Sequence, residues 1–208
     1  MVYKILVAGP QGSGKGTQAE RLSKALGIPA LSMGQLLRDE IAGGTELGKQ
    51  MKDLVDTGRL VPAAMSVQAL MARLAKPDVK NGYILDGFPR NMEQLGAFDL
   101  SIPTHLIVLN IPREESLRRL THRLTCDACG TVASELDGKV EGDACACGGR
   151  FKKRKDDNAE AIERRLGIYE NETRPVLAAF AKRGIVREID GVGSIPEVSD
   201  RVLAALKS

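Results

Sequence analysis

The chain has 208 residues, 43% of them hydrophobic and 27% charged, and a formal net charge of +3. That length suits one sizeable core carrying an inserted module rather than two ordinary domains, and the composition excludes wholesale disorder and a fibrous repeat. So small a charge excess gives no diffuse basic field for nucleic acid, and anion binding has to come from local clusters.

The amino terminus, MVYKILVAGP, carries a short apolar run without a small-residue cleavage site. It reads as neither signal peptide nor membrane span, so a cytoplasmic protein without a membrane partner is expected. Branched-residue runs predict strands at Lys4 to Ala8, Ile28 to Ser32, Tyr83 to Asp86, His105 to Ile111 and Ile185 to Ile189. Helices are predicted at Gly14 to Leu26, Pro62 to Lys76, Arg113 to Arg123, Asn158 to Lys182 and Ile195 to Lys207. Asn158 and Ser194 suit N-caps, Pro62 a first turn, and Gly27 and Gly184 helix exits. The alternation implies an α/β fold, a parallel sheet of about five strands flanked by helices, with ligands at the carboxyl ends of the strands. Two segments interrupt it. Met33 to Val61 reads as short helices punctuated by glycines, and Leu124 to Lys155 holds all four cysteines, several glycines and the basic run Lys152 to Lys155.

The stretch GPQGSGKGTQ follows the first strand, and Gly9, Gly14 and Lys15 fit G-x-x-x-x-G-K, the phosphate-binding loop, with the strand before it and the helix after it that the motif needs. Glycines let several backbone N–H groups turn inward, and the helix N-terminus adds partial positive charge, so Gly12, Ser13, Gly14, Lys15, Gly16 and Thr17 form a nest for a polyphosphate. Position 16 is glycine where the common motif has a hydroxyl, which appears one residue later as Thr17.

GSGKGTQ together with LDGFPR at Leu85 to Arg90 resembles the nucleoside monophosphate kinases, and among them the adenylate kinases. The resemblance extends to LLRDE at Leu36 to Glu40, ELGKQ at Glu46 to Gln50, GRLV at Gly58 to Val61, RLTHRL at Arg119 to Leu124 and RKDD at Arg154 to Asp157. It implies a core at 1–32, 62–122 and 158–208, a monophosphate-binding segment at 33–61 and a lid at 123–157. It implies reversible phosphoryl transfer from MgATP to AMP, giving ADP, by a monomer. A GTPase would carry N-K-x-D, which the chain lacks.

By the same resemblance Arg38, Arg90, Arg123, Arg154 and Arg165 surround the phosphates and Arg119 packs on the adenine of ATP. Arginine suits this work because its planar fork holds two phosphate oxygens at once. Asp86 ends a strand beside the loop, where a carboxylate holds the water shell of Mg2+, with Thr17 as the other candidate. Asp156 and Asp157 either orient lid cations or form exposed ion pairs. Arg59, Leu60, Val61, Gly87, Phe88 and Pro89 match acceptor-side motifs. Val132, Ala133 and Gly193 stand where the family meets ATP, and Leu124 where a second arginine is common. Gln94 offers an amide donor and acceptor to adenine. Met33 replaces the usual threonine, and Asn91 is similar to the UMP/CMP kinases, so AMP stands first as acceptor and a pyrimidine nucleotide second.

CDACG at Cys126 to Gly130 and CACGG at Cys145 to Gly149 give C-x2-C, a gap of fifteen residues, then C-x-C. Cys126, Cys129, Cys145 and Cys147 suit one tetrahedral structural Zn2+, closed to catalysis, although the second half is one residue shorter than in metal-bearing adenylate kinase lids. Free thiols or a disulfide are the alternative. A phosphate-loop NTPase with a zinc ribbon for nucleic acid is the competing class, disfavoured because aromatic residues are only 3% of the chain and stacking platforms are scarce.

Overall fold

The computed structural model describes residues 2–97 and 103–207. The predicted core ranges include residues 1, 98–102 and 208, which lie outside those described. In chain order the elements begin with strand β1 (Tyr3–Ala8), helix α1 (Lys15–Leu26), β2 (Ala30–Ser32), α2 (Met33–Ala42), α3 (Glu46–Asp56) and α4 (Ala63–Leu74). Then come β3 (Gly82–Asp86), α5 (Met92–Ala97), β4 (His105–Asn110), α6 (Arg113–Thr121), β5 (Arg123–Cys126), β6 (Val132–Ser134) and β7 (Phe151–Lys152). The chain closes with α7 (Ala159–Ile168), a π-helical turn (Tyr169–Thr173), α8 (Arg174–Ala181), β8 (Val186–Asp190) and α9 (Ile195–Ala205).

A five-stranded parallel sheet runs in the order β2-β3-β1-β4-β8. Because side chains alternate across a strand, β1 sends Leu6 to one face and Ile5 and Val7 to the other. Leu6, Leu31, Leu85, Leu106 and Val108 meet Leu70 of α4 and Val176 and Phe180 of α8. Ile5, Val7, Ile84, Ile107 and Leu109 meet Ala19 and Leu22 of α1 and Val198 and Val202 of α9. Each such buried aliphatic side chain contributes about 1.5–3 kcal/mol. Covered on both faces, the sheet offers ligands only its edge. Parallel register puts Ser32 beside Asp86 and Asn110 beside Asp190 at one common end.

Local chemistry sets the helix ends. Asn158 accepts from the N–H of Ala161, Ser194 and Glu197 form a reciprocal capping box, and left-handed Gly27 closes α1. Ser32 and Thr45 cap α2 and α3. The interrupting stretch 33–61 therefore holds two helices and no strand. Residues 123–152 build a separate antiparallel sheet, β6-β5-β7, around buried Leu124, Cys126 and Phe151. Leu124 is fully buried in this small core.

Three expectations change. Arg123 opens β5 instead of ending a helix, because α6 stops at Thr121 with His122 as its cap and burial then alternates with period two through Leu124 and Cys126. The single helix predicted over 158–182 is interrupted by the π-turn. Pro175 has no N–H to continue the ordinary ladder, and the N–H of Arg174 bonds the carbonyl of Tyr169, five residues back. Helix α5 went unpredicted; its signal was Asn91, whose Oδ1 accepts from the N–H of Gln94 at 2.9 Å. Among the described residues no helix is long and apolar enough to cross a membrane.

Candidate active site

Between β1 and α1 the chain makes the tight turn its glycines foretell. At Gly9, φ is 144° and an added Cβ would stand 2.3 Å from the carbonyl oxygen of Leu109, so no other residue fits. Gly12 and Gly14 share positive φ, and Gly14 immediately precedes α1. Lys15 folds back over this loop, donating to the carbonyls of Gly9 at 2.9 Å and Pro10 at 2.7 Å. Burial lowers its ammonium pKa to about 7, with Asp86 opposing the shift and Arg90, Arg165 and Arg123 adding to it. Burial likewise pushes the Asp86 carboxyl up, against the pull of Lys15 and Arg90.

Arginines reach this end of the sheet from five elements. Arg90, in the loop after β3, donates Nε to the carbonyl of Gly87 at 2.8 Å and is lowered in pKa first by its own burial. Arg123 of β5 grips Asp157 with two nitrogens, and Arg154 pairs with Asp156. Arg165 of α7, 7% exposed, donates to Asp156 at 3.0 Å, Asp157 at 3.1 Å and Gln11 Oε1 at 3.1 Å. Burial pushes the Asp156 carboxyl up, but the guanidiniums of Arg154, Arg165 and Arg123 overcome it and hold the group well below the usual carboxylate range. Arg38 of α2 donates to Gln35, and burial together with Arg154 lowers its pKa to about 10. Six cations, Lys15 and Arg38, 90, 123, 154 and 165, thus face three carboxylates, Asp86, 156 and 157. The surplus positive charge suits a polyphosphate.

The acceptor-side residues gather in one cleft, lined by Met33, Arg38, Arg59, Leu60, Val61, Gly87, Arg90, Gln94, Arg154 and Arg165. Phe88 sits in the main core, and the Phe88–Pro89 peptide is cis. Arg59 turns to an ion pair with Asp53 and remains half exposed. Gln94, 3% exposed, has a fixed orientation. Its Oε1 accepts from the N–H of Arg90 at 2.8 Å, which leaves Nε2 as the donor, beside the carbonyl of Val61 at 3.5 Å.

On the opposite side Arg119 donates to the carbonyls of Gly12 at 3.4 Å and Gly191 at 3.1 Å while Glu115 holds its Nε at 2.6 Å. It spans the phosphate loop and the loop after β8. Gly193 lies two residues beyond Gly191, near Glu197 and Arg201. Val132 is exposed on β6 and Ala133 packs on the small core of 123–152, so these two do not join the arginine cluster. Gln11 escaped sequence reasoning, because its partner Arg165 lies 154 residues away.

Asp86 fits a hydrated cation. Its Oδ1 is buried without a partner, and Oδ2 would lie 3.7 Å from a Cβ at Gly16, next to Thr17. Buried Ser13 Oγ is likewise unpartnered. The four cysteine sulfurs all lie within 4.8 Å of one another, with Cys126 and Cys147 3.5 Å apart and Cys129 and Cys145 3.7 Å apart. Zinc–thiolate bonds of about 2.3 Å in a tetrahedron put sulfurs about 3.8 Å apart, so the donor set fits that metal and includes Cys147.

A family model described as adenylate kinase matches residues 7–185. The chain is 40% identical to the adenylate kinase of Thermodesulfovibrio yellowstonii, over 98% of this chain and 99% of that one. It is 39% identical to that of Syntrophobacter fumaroxidans, over 97% and 99%, and 40% identical to that of Rhizobium etli, over 98% of both.

Proposed function

The chain belongs to the adenylate kinase family, and we propose that its convergent arginines and Lys15 carry that family's reaction, reversible phosphoryl transfer from MgATP to AMP giving two ADP. The observation that carries the reading is six cations against three carboxylates at the carboxyl end of the sheet.

Lys15 and the amides of Gly12 to Thr17 hold the outer phosphates of ATP, and Arg119 lies under its adenine, with Val132, Ala133 and the Gly193 carbonyl at the edge. Arg38 and Arg90 grip the phosphate of AMP, and its base enters the cleft of Met33, Arg59 to Val61, Gly87 to Pro89 and Gln94. An AMP phosphate oxygen attacks the γ-phosphorus as the bond to the β,γ-bridging oxygen breaks, and the electron pair departs with ADP. No general base is required, since a phosphate monoester has its second pKa near 6 and is largely dianionic at neutral pH. Charge spreading over the transferring oxygens is met by Arg90, Arg123, Arg154 and Arg165. Asp156 and Asp157 fix three of these cations before substrate arrives. Asp86 and Thr17 would hold Mg2+ through water; when bound, the ion neutralises phosphate charge.

Segments 33–61 and 123–157 close over the 1–32, 62–122 and 158–208 core and exclude water from the transfer. Cys126, Cys129, Cys145 and Cys147 hold a structural Zn2+ that orders the lid. The enzyme works as a cytoplasmic monomer without nucleic acid.

Arg90→Ala tests the assignment. We expect phosphoryl transfer to fall about a hundredfold or more, the scale of a lost transition-state donor, with an unchanged circular dichroism spectrum. A turnover number equal to that of the parent would remove Arg90 from the mechanism.

A further inference from the structure

The side chain of Arg90 reaches the phosphates only as accurately as its backbone is held, and that backbone is held on both sides. Its N–H donates to Gln94 Oε1 at 2.8 Å, and its carbonyl accepts from the hydroxyl of Thr173 at 2.8 Å. Thr173 is 7% exposed and ends the π-turn Tyr169–Thr173. A threonine in a helix ordinarily returns its hydroxyl to a carbonyl three or four residues back; this one bonds across 83 residues instead. Its neighbour Glu172 does the same, accepting from Asn91 Nδ2 at 3.3 Å. Two successive residues of the turn thus hold two successive residues of the loop. The extra residue of a π-turn rotates the next stretch of helix by about 100° relative to an uninterrupted one, so the turn determines which side chains meet the loop.

We propose that Thr173 is a positioning residue for phosphoryl transfer, fixing the Arg90 peptide and through it the guanidinium, and that the π-turn exists to bring its hydroxyl there. The proposal rests on the role given to Arg90. It draws on the sensitivity of transfer to geometry, where a misplacement of about 1 Å costs about a hundredfold.

The test is a double-mutant cycle on the first-turnover rate at saturating MgATP and AMP. Thr173→Val keeps shape and branching and removes the donor; it should slow transfer about tenfold or more, within that same geometric sensitivity. Thr173→Ser, which restores a hydroxyl, should stay within about twofold of the parent. In an Arg90→Lys background, where no planar fork remains to be aimed, Thr173→Val should change the rate less than about twofold. A parental rate for Thr173→Val overturns the proposal, as does an equal loss in both backgrounds, the mark of a merely structural role. If the valine variant melts below the assay temperature, Thr173→Ala takes its place in the cycle. A parental rate for Arg90→Lys and for Arg90→Ala instead sinks the reading of Arg90 itself.

Discussion

Burial governs Lys15. With its pKa lowered from the usual 10.5 to about 7, the unfolded chain binds the extra proton between those two values, so this group's contribution to stability rises with pH across that window. Phosphates arriving beside the ammonium favour its charged form and raise its pKa. MgATP binding at pH 8 should therefore take up protons. Calorimetry in two buffers of different ionisation enthalpy reads this directly, and identical binding enthalpies would contradict it. At this scale the sequence was most legible where backbone geometry dictates residue type: Gly9 through Lys15 spell out the nest because only glycine tolerates the Leu109 carbonyl at that distance. Gln11, Thr173 and the locked amide of Gln94 were not legible, since each depends on a partner brought in by the fold.

The segment 123–152 gathers its four cysteine sulfurs within 4.8 Å of one another, and the metal proposed there would order it. Its apolar centre is small, Leu124, Cys126 and Phe151 with Ala133 and Cys145 against it, and metal binding supplies folding free energy on the order of 10 kcal/mol in small zinc modules. Freshly purified protein should carry about one equivalent of zinc, and less than half would count against the site. Removing it with a chelator should lower the melting temperature by several degrees while turnover at moderate temperature falls proportionally less; equal collapse of both would assign the metal a part in the chemistry. The C-x2-C half was readable from spacing. Cys147 was named from the same pattern, but the geometry by which the shorter C-x-C still brings it in was not readable, because it depends on the turn at Gly148 and Gly149. There the N–H of Cys145 bonds the Gly149 carbonyl at 2.8 Å, and an added Cβ at Gly149 would stand 2.7 Å from Cys126 Sγ. The 158–182 stretch was legible as helix by periodicity, but the π-turn was not: Pro175 marks where a ladder fails without saying whether the chain stops or widens.

Across the molecule, the two inserted segments approach each other, since a Cβ at Gly130 would stand 3.1 Å from the Gln35 side chain of α2, while Arg164 of α7 ties the first of them to the core through the Thr57 carbonyl. The alternation of strands with helices was enough to read the parallel sheet from sequence, since its central strands β1, β3 and β4 are buried on both faces. The meeting of 33–61 with 123–157 was not, because those contacts form between segments with no shared pattern. In the proposed reading, Gln94 Nε2 and the Val61 carbonyl, which bond each other at 3.5 Å in the structure, part to offer the acceptor base one donor and one acceptor. Adenine answers both. Cytosine does so through a smaller ring, while guanine and uracil oppose a donor with an N–H of their own. Turnover with AMP, CMP, UMP and GMP at one MgATP concentration is the direct measurement: AMP should be fastest, CMP a distant second, and UMP and GMP slowest, whereas a pyrimidine monophosphate outpacing AMP would contradict the account.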